Sequence, residues 1–249
     1  MDEPLLRVDS VTKRFGAVTA SRNLSFTVQP GEIHALIGPN GSGKTTIINQ
    51  LSGEINPDSG NIYFAGINLA GISVPARARM GLARSFQITS VFERLSVAQN
   101  LALAIQAHQG HSFRFWRRAH ADPALGDLVE QALARVGLEE RAEEPAINLS
   151  HGEKRQLDVG MALAGTTRLL LLDEPMAGMG PGGTVELSKL IRGLKGKLTI
   201  LLVEHDMDVI FSLADRISVL VYGEAIATGT PREIRANPQV QRAYLGERL

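Results

Sequence analysis

The chain has no cysteine in its 249 residues. That excludes a disulfide framework and any thiolate-held metal site. It has no surplus charge of either sign, since 26 Lys and Arg stand against 26 Asp and Glu. A nucleic-acid groove or an anionic membrane surface draws on a basic excess, so composition argues for no nucleic-acid partner. No apolar run approaches the roughly 20 residues that a membrane helix needs. The opening Met1-Asp2-Glu3-Pro4 lacks a basic-then-apolar signal segment, and no internal repeat or low-complexity tract is visible. These absences leave one large domain or two small ones, expected to be soluble and intracellular. Any service to a membrane would go through a partner.

Glycine is where the chain becomes informative. Gly38-Pro39-Asn40-Gly41-Ser42-Gly43-Lys44-Thr45-Thr46 matches the phosphate-binding pattern G-x-x-x-x-G-K-[ST]. Residues 33–37 before it read as a short buried strand. Residues 44–51 after it read as a helix with Ile47, Ile48 and Leu51 on one face. Strand, glycine loop, helix is the context this motif needs. Glycines let backbone N–H groups converge on a polyphosphate, and the helix N-terminus adds partial positive charge. Lys44 would reach the β- and γ-phosphates of a nucleotide, and the Thr45 hydroxyl would hold Mg²⁺.

Residues 5–11, 24–28 and 61–66 alternate apolar with polar side chains and predict strands with one wet face, a small antiparallel layer. Helical periodicity marks residues 96–106, 127–136, 150–164, 185–194 and 207–214. Residues 168–172 and 198–203 are short continuous apolar runs, as in parallel strands buried on both faces, and 217–221 and 224–227 read as further strands. The rest, with Pro231 and Pro238, reads as a polar tail. Residues 107–124 differ in texture: His108, His111 and His120 lie among Phe113, Arg114, Phe115, Trp116, Arg117 and Arg118. Aromatics interleaved with arginines can bind nucleic acid. The histidine spacings, 3 and 9, fit no standard zinc pattern, and the stretch is read as a surface insertion.

Asp173-Glu174 ends the run Leu169-Leu170-Leu171-Leu172, at the strand end where open α/β sheets bind ligands. Asp173 would sit opposite Thr45 and bind Mg²⁺, and Glu174 is placed to polarise a water in line with a γ-phosphate. Ser150-His151-Gly152-Glu153 fits a helix capping box.

With these in place the chain resembles the ATP-binding-cassette (ABC) ATPases along almost its whole length. Ser85-Phe86-Gln87 looks like the Q-loop, Leu149-Ser150-His151-Gly152-Glu153 like the signature usually written L-S-G-G-Q, and residues 177–181 occupy the D-loop position. His205 looks like the switch histidine that contacts the γ-phosphate, and Phe15 like the aromatic that stacks on adenine. The resemblance implies an α/β P-loop NTPase core with a mostly parallel central sheet, a small antiparallel β layer and an inserted α-helical subdomain. It implies one domain over 1–249, with 1–86 and 166–249 as a RecA-like core and 87–165 as the helical signature subdomain. It assigns catalysis to Glu174, His205, Gln87 and Lys44. Nucleotide binding falls to Phe15, Gly38, Pro39, Asn40, Gly41, Ser42, Gly43, Lys44, Thr45, Thr46, Ser150 and Gly152, and Mg²⁺ to Thr45, Gln87 and Asp173. His151 and Glu153 depart from the family signature, and Gly180 stands where many members carry Asp.

Further motifs, residues 79–87, Glu204-His205-Asp206-Met207, Gly229-Thr230-Pro231, Asn237-Pro238 and Ala243-Tyr244-Leu245-Gly246, resemble the branched-chain amino acid (Liv-type) importer group, which includes urea and amide importers. That implies a head-to-tail partner ATPase, identical or related. It implies transmembrane permeases docked near residues 87–93, an extracytoplasmic binding protein, and a cytoplasmic position on the inner face of the membrane. Two other roles stand beside it: an ABC ATPase working on DNA or the ribosome, and a nucleotide-gated interaction module.

Overall fold

The structure is a computed structural model that describes residues 3–85, 91–109 and 123–245. In chain order the first elements are β1 Leu6–Phe15, β2 Val18–Val28, β3 Ile33–Ile37, α1 Lys44–Ser52, β4 Ser59–Phe64, β5 Ile67–Asn68, α2 Val74–Arg79 and β6 Leu82–Ser85. Then come α3 Val97–Gln109, α4 Pro123–Val136, α5 His151–Ala162, β7 Leu169–Asp173, α6 Pro181–Leu194 and β8 Thr199–Val203. The chain closes with α7 Met207–Leu213, β9 Arg216–Val221, β10 Glu224–Gly229, α8 Pro231–Ala236 and α9 Pro238–Leu245.

Period-two alternation builds the first layer. β1 pairs antiparallel with β2 (Leu6↔Val28, Val8↔Phe26) and with β4 (Leu6↔Phe64, Val8↔Ile62), giving the order β2-β1-β4-β5. Leu6, Val8, Val28, Ile62 and Phe64 turn inward onto one core, while their neighbours face water. The hairpin continues through residues 12–23, beyond the expected strands. That tip is mostly exposed, so no burial pattern announces it.

The larger sheet has the order β10-β9-β3-β8-β7-β6, parallel except for β10. Its inner strands are buried on both faces, which is why they read as unbroken apolar runs. Leu169, Leu171, Leu201 and Val203 join Ile47, Ile48 and Leu51 of α1 in the core under the antiparallel layer. Leu170, Leu172, Ile200 and Leu202 point the other way, onto Val159 and Leu163 at the end of α5, Leu187 and Ile191 of α6 and Val209 of α7. A separate apolar cluster joins Val97, Leu101 and Ile105 of α3 to Val129, Leu133 and Val136 of α4 and Leu157 of α5. Gly160 lets these helices close: a Cβ there would lie 3.0 Å from Val136 Cγ1 and 3.1 Å from Leu101 Cδ2.

One expectation needs correction. The polar tail is helical, because Pro231 and Pro238 each open a helix, where a missing N–H costs nothing. Thr230 and Glu233 cap α8 reciprocally, and Ile234 and Val240 pack on Ile210, Ile217 and Val219. α2 and β6 are too short to show a period. Arg77, buried, anchors α2 by donating to the carbonyls of Gln50, Leu51, Leu69 and Ile72 and so caps the end of α1, while β6 is held by its ladder with β7. Of the insertion at 107–124, residues 110–122 lie outside the described residues.

Candidate functional site

β3 runs straight into residues 38–43, and α1 starts at Lys44. A Cβ at Gly38 would lie 2.2 Å from the Leu220 carbonyl oxygen, and one at Gly43 2.0 Å from that of Ala20. Gly43 also needs φ +101 and Gly41 φ +78, and the space beside Gly41 is open. The loop is thus pressed from behind by β2 and β9 and clear at its crown. Gly223 N–H braces it by donating to the Ser42 carbonyl at 3.1 Å. Gly43 is the N-cap of α1 and offers no side-chain acceptor, so the first N–H groups of the helix have no capping side chain. Ser42 Oγ is buried without a hydrogen-bond partner among the described residues. Unclaimed donors and a helix dipole at one concave turn fit a polyphosphate.

Lys44 is buried and its Nζ donates to the carbonyls of Gly38 (2.7 Å) and Pro39 (3.1 Å). Burial lowers its pKa, and the charges of Glu174 and Asp173 work against that fall. Those two carboxylates reach the loop because Leu169–Asp173 and Ile33–Ile37 both pair with β8, which brings their C-terminal ends to one edge. Asp173 is buried; burial raises its pKa, the Arg84 guanidinium draws it down, and Glu174 raises it further. Arg84 Nη2 lies 3.3 Å from Asp173 Oδ2, and its Nη1 reaches Asn49 Oδ1 and Glu54 Oε1, each at 2.8 Å. A buried carboxylate is a hard-oxygen donor of the kind that Mg²⁺ takes.

Glu174 follows with φ +47, a left-handed backbone for a residue that also precedes proline. Such a conformation costs of the order of 1–3 kcal/mol and persists only where neighbours impose it. Its N–H donates to the Val203 carbonyl at 2.8 Å. Glu204, buried, accepts the Met176 N–H at 2.8 Å and the His205 N–H at 3.2 Å. Burial raises the Glu204 pKa, and those two N–H groups oppose the rise. Glu174 Oε1 stands 3.8 Å from His205 Nδ1, with the histidine ring exposed. The edge therefore gathers a cation, a metal-type carboxylate, a second carboxylate able to take a proton, and an imidazole.

The structure brings together Gly38 to Thr46, Asp173, Glu174 and His205. Phe15 lies half-exposed on the β1–β2 hairpin opposite Val18, an exposed apolar partner that no motif announced. Gln87 lies outside the described residues. Ser150 is engaged at the start of its own helix, where the capping box forms with Ser150 N–H to Glu153 Oε2 at 2.8 Å and Glu153 N–H to Ser150 Oγ at 3.3 Å. Gly152 is closed in by Gly183 and Met179, so its contacts are with the start of α6 and the turn before it. Gly180 is the N-cap of α6 with φ −73, and nothing would crowd a Cβ there. Arg84, Arg155 and Glu204 have no role assigned from sequence, although Arg84 and Glu204 lie inside motifs named above.

Comparison with known proteins agrees with this geometry. The family model described as "ABC transporter" matches residues 21–177, and that of a "Branched-chain amino acid ATP-binding cassette transporter" matches residues 226–249. The chain is 41% identical over 257 residues to the high-affinity branched-chain amino acid transport ATP-binding protein LivG of Escherichia coli K12, covering 99% of this chain and 100% of that protein. It is 36% identical to BraF of Pseudomonas aeruginosa, of the same description, covering 99% and 100%, and 31% identical to the lipopolysaccharide export system ATP-binding protein LptB of Acidithiobacillus ferridurans, covering 98% of each. Among solved structures, the ADP conformation of MJ1267, an ATP-binding cassette of an ABC transporter, matches with a TM-score of 0.85 at 26% identity over 98% of this chain and 100% of that one. The chain belongs to the ABC transporter family, as an ATP-binding and ATP-hydrolysing member.

Proposed function

We propose that this chain energises the uptake of branched-chain amino acids, or a related small polar solute, through partner permeases. The observation that carries the reading is identity along essentially the entire length of LivG and BraF. Those relatives are transport proteins, so the DNA- and ribosome-associated role is set aside. Among the described residues no helix is long and apolar enough to cross a membrane, so the permeases would supply the span. The chain would sit peripherally on the inner face of the membrane, with an extracytoplasmic binding protein delivering the solute.

At the site, residues 38–46 cradle the phosphates and Phe15 stacks on the base. Lys44 exchanges its two carbonyl acceptors for β- and γ-phosphate oxygens. Thr45, Asp173 and Gln87 would hold Mg²⁺, which supplies charge neutralisation to the phosphates. Glu174 accepts the proton of the attacking water, and His205 steadies the γ-phosphate. Residues 1–86 and 166–249 form the nucleotide core, and 87–165 form the signature subdomain. One chain has one P-loop and one signature, so Ser150 and Gly152 complete the site of a second cassette, joined head to tail. The test is Glu174→Gln, assayed with the permeases present. Turnover should fall about 10²-fold or more while ATP affinity holds. Turnover near that of the wild type would remove Glu174 from the role.

A further inference from the structure

We propose that Arg155 is a positioning residue for hydrolysis, holding from α5 the Glu174 and Pro175 carbonyls and thereby keeping the Glu174 carboxylate aimed. The proposal deepens the reading above and rests on Glu174 acting there as the base. A left-handed residue ahead of a proline needs its neighbours to impose that shape, and its carbonyls need donors. The buried Arg155 guanidinium supplies them: Nε donates to the Pro175 carbonyl at 3.1 Å and Nη2 to that of Glu174 at 3.5 Å. Two donors in one rigid plane can serve two successive carbonyls, which a lysine ammonium cannot do with the same fixed geometry.

The same guanidinium is anchored on its other side. Nη1 lies 3.7 Å from Asp158 Oδ2, and Asp158 accepts the Ser85 hydroxyl at the end of β6. The charges of Asp158, Glu204 and Asp173 oppose the burial that disfavours the cation. Arg155 thus joins three pieces: the helix that begins at the signature turn, the turn carrying the base, and the strand leading to the Q-loop position. The start of α5 also packs closely on the start of α6, where a Cβ at Gly152 would lie 3.3 Å from Gly183 Cα. A displacement of the signature therefore reaches the base through Arg155. In a head-to-tail pair, the signature engaged on one nucleotide would be tied to the base serving the other.

The test is a double-mutant cycle on the full chain, assayed for ATP turnover with its permeases. Arg155→Met keeps the length and removes every donor; Arg155→Lys keeps the charge and one donor group. The expected result is a fall in kcat of about 10- to 100-fold for Arg155→Met, with the KM for ATP within two-fold and partial recovery in Arg155→Lys. In a Glu174→Gln background, Arg155→Met should change the residual rate less than two-fold. Three results overturn the proposal: kcat within two-fold of wild type, equal loss in both backgrounds, or a loss confined to KM. If Arg155→Met fails to fold by circular dichroism, Arg155→Lys decides: lowered kcat with unmoved KM supports the proposal, and wild-type kcat overturns it. A Glu174→Gln variant that still turns over normally would instead defeat the underlying assignment of the base.

Discussion

Gly43 answers to two constraints at once, a φ of +101 and an Ala20 carbonyl 2.0 Å from where a Cβ would go. Gly43→Ala should therefore cost roughly 1–3 kcal/mol in a urea melt and abolish tight ATP binding by titration, since neither the backbone angle nor the hairpin behind it can yield cheaply. Arg84 is the second sensitive residue. Its side chain and that of Asp173 are 10% and 3% exposed, so Arg84→Ala should cost about 3 kcal/mol by removing one side of a buried pair. The Asp173 pKa should rise further, because the cation that draws it down is gone. At this scale the sequence was uneven. Lys44, Asp173 and Glu174 were legible because a motif fixes the backbone beside each of them. Arg84 was not, because it meets Asp173 across 89 residues of chain, and no local pattern encodes such a meeting. Arg155 and Glu204 were hidden for the same reason: each meets its distant partners, the Glu174 and Pro175 carbonyls for Arg155 and the Met176 N–H for Glu204, only once the chain has folded.

Among the elements, α5 was readable from its cap alone, and the Ser150–Glu153 box formed as expected. Burial would raise the Glu153 pKa, but the Ser150 hydrogen bonds and Arg141 hold it below its ordinary 4.5. A carboxylate depressed in the folded state stabilises above the unfolded pKa and loses that contribution as pH falls through the folded one. Glu153→Gln keeps an acceptor for the Ser150 N–H but cannot titrate. Its stability profile should be flatter below about pH 4.5, with a change of less than ~1 kcal/mol at neutral pH, read by denaturant titration across pH. The buried strands were equally plain, since only two-sided burial writes Leu169-Leu170-Leu171-Leu172. The hairpin tip, α2, β6, α8 and α9 were not. They are polar, short or opened by proline, and tertiary contacts decide them rather than periodicity.

For the whole molecule, the signature turn rests against Met179 and Gly183 of its own chain, and the P-loop against β2 and β9. The proposed pairing of cassettes predicts that Glu174→Gln with ATP will sediment at about twice the mass it shows without nucleotide, and that adding Ser150→Ala will shift it back toward the single chain. A mass that ignores ATP would count against the pairing. β6 matters differently at this scale. It is the outermost strand of the six, paired among the described strands with β7 only, and its last two residues, Arg84 and Ser85, carry the ties to Asp173 and Asp158. A force drawn sideways on that rim would unzip rungs singly instead of snapping a whole seam. The first fastenings to slip would be those two, so tension there would slacken the chemistry well before it threatened the scaffold.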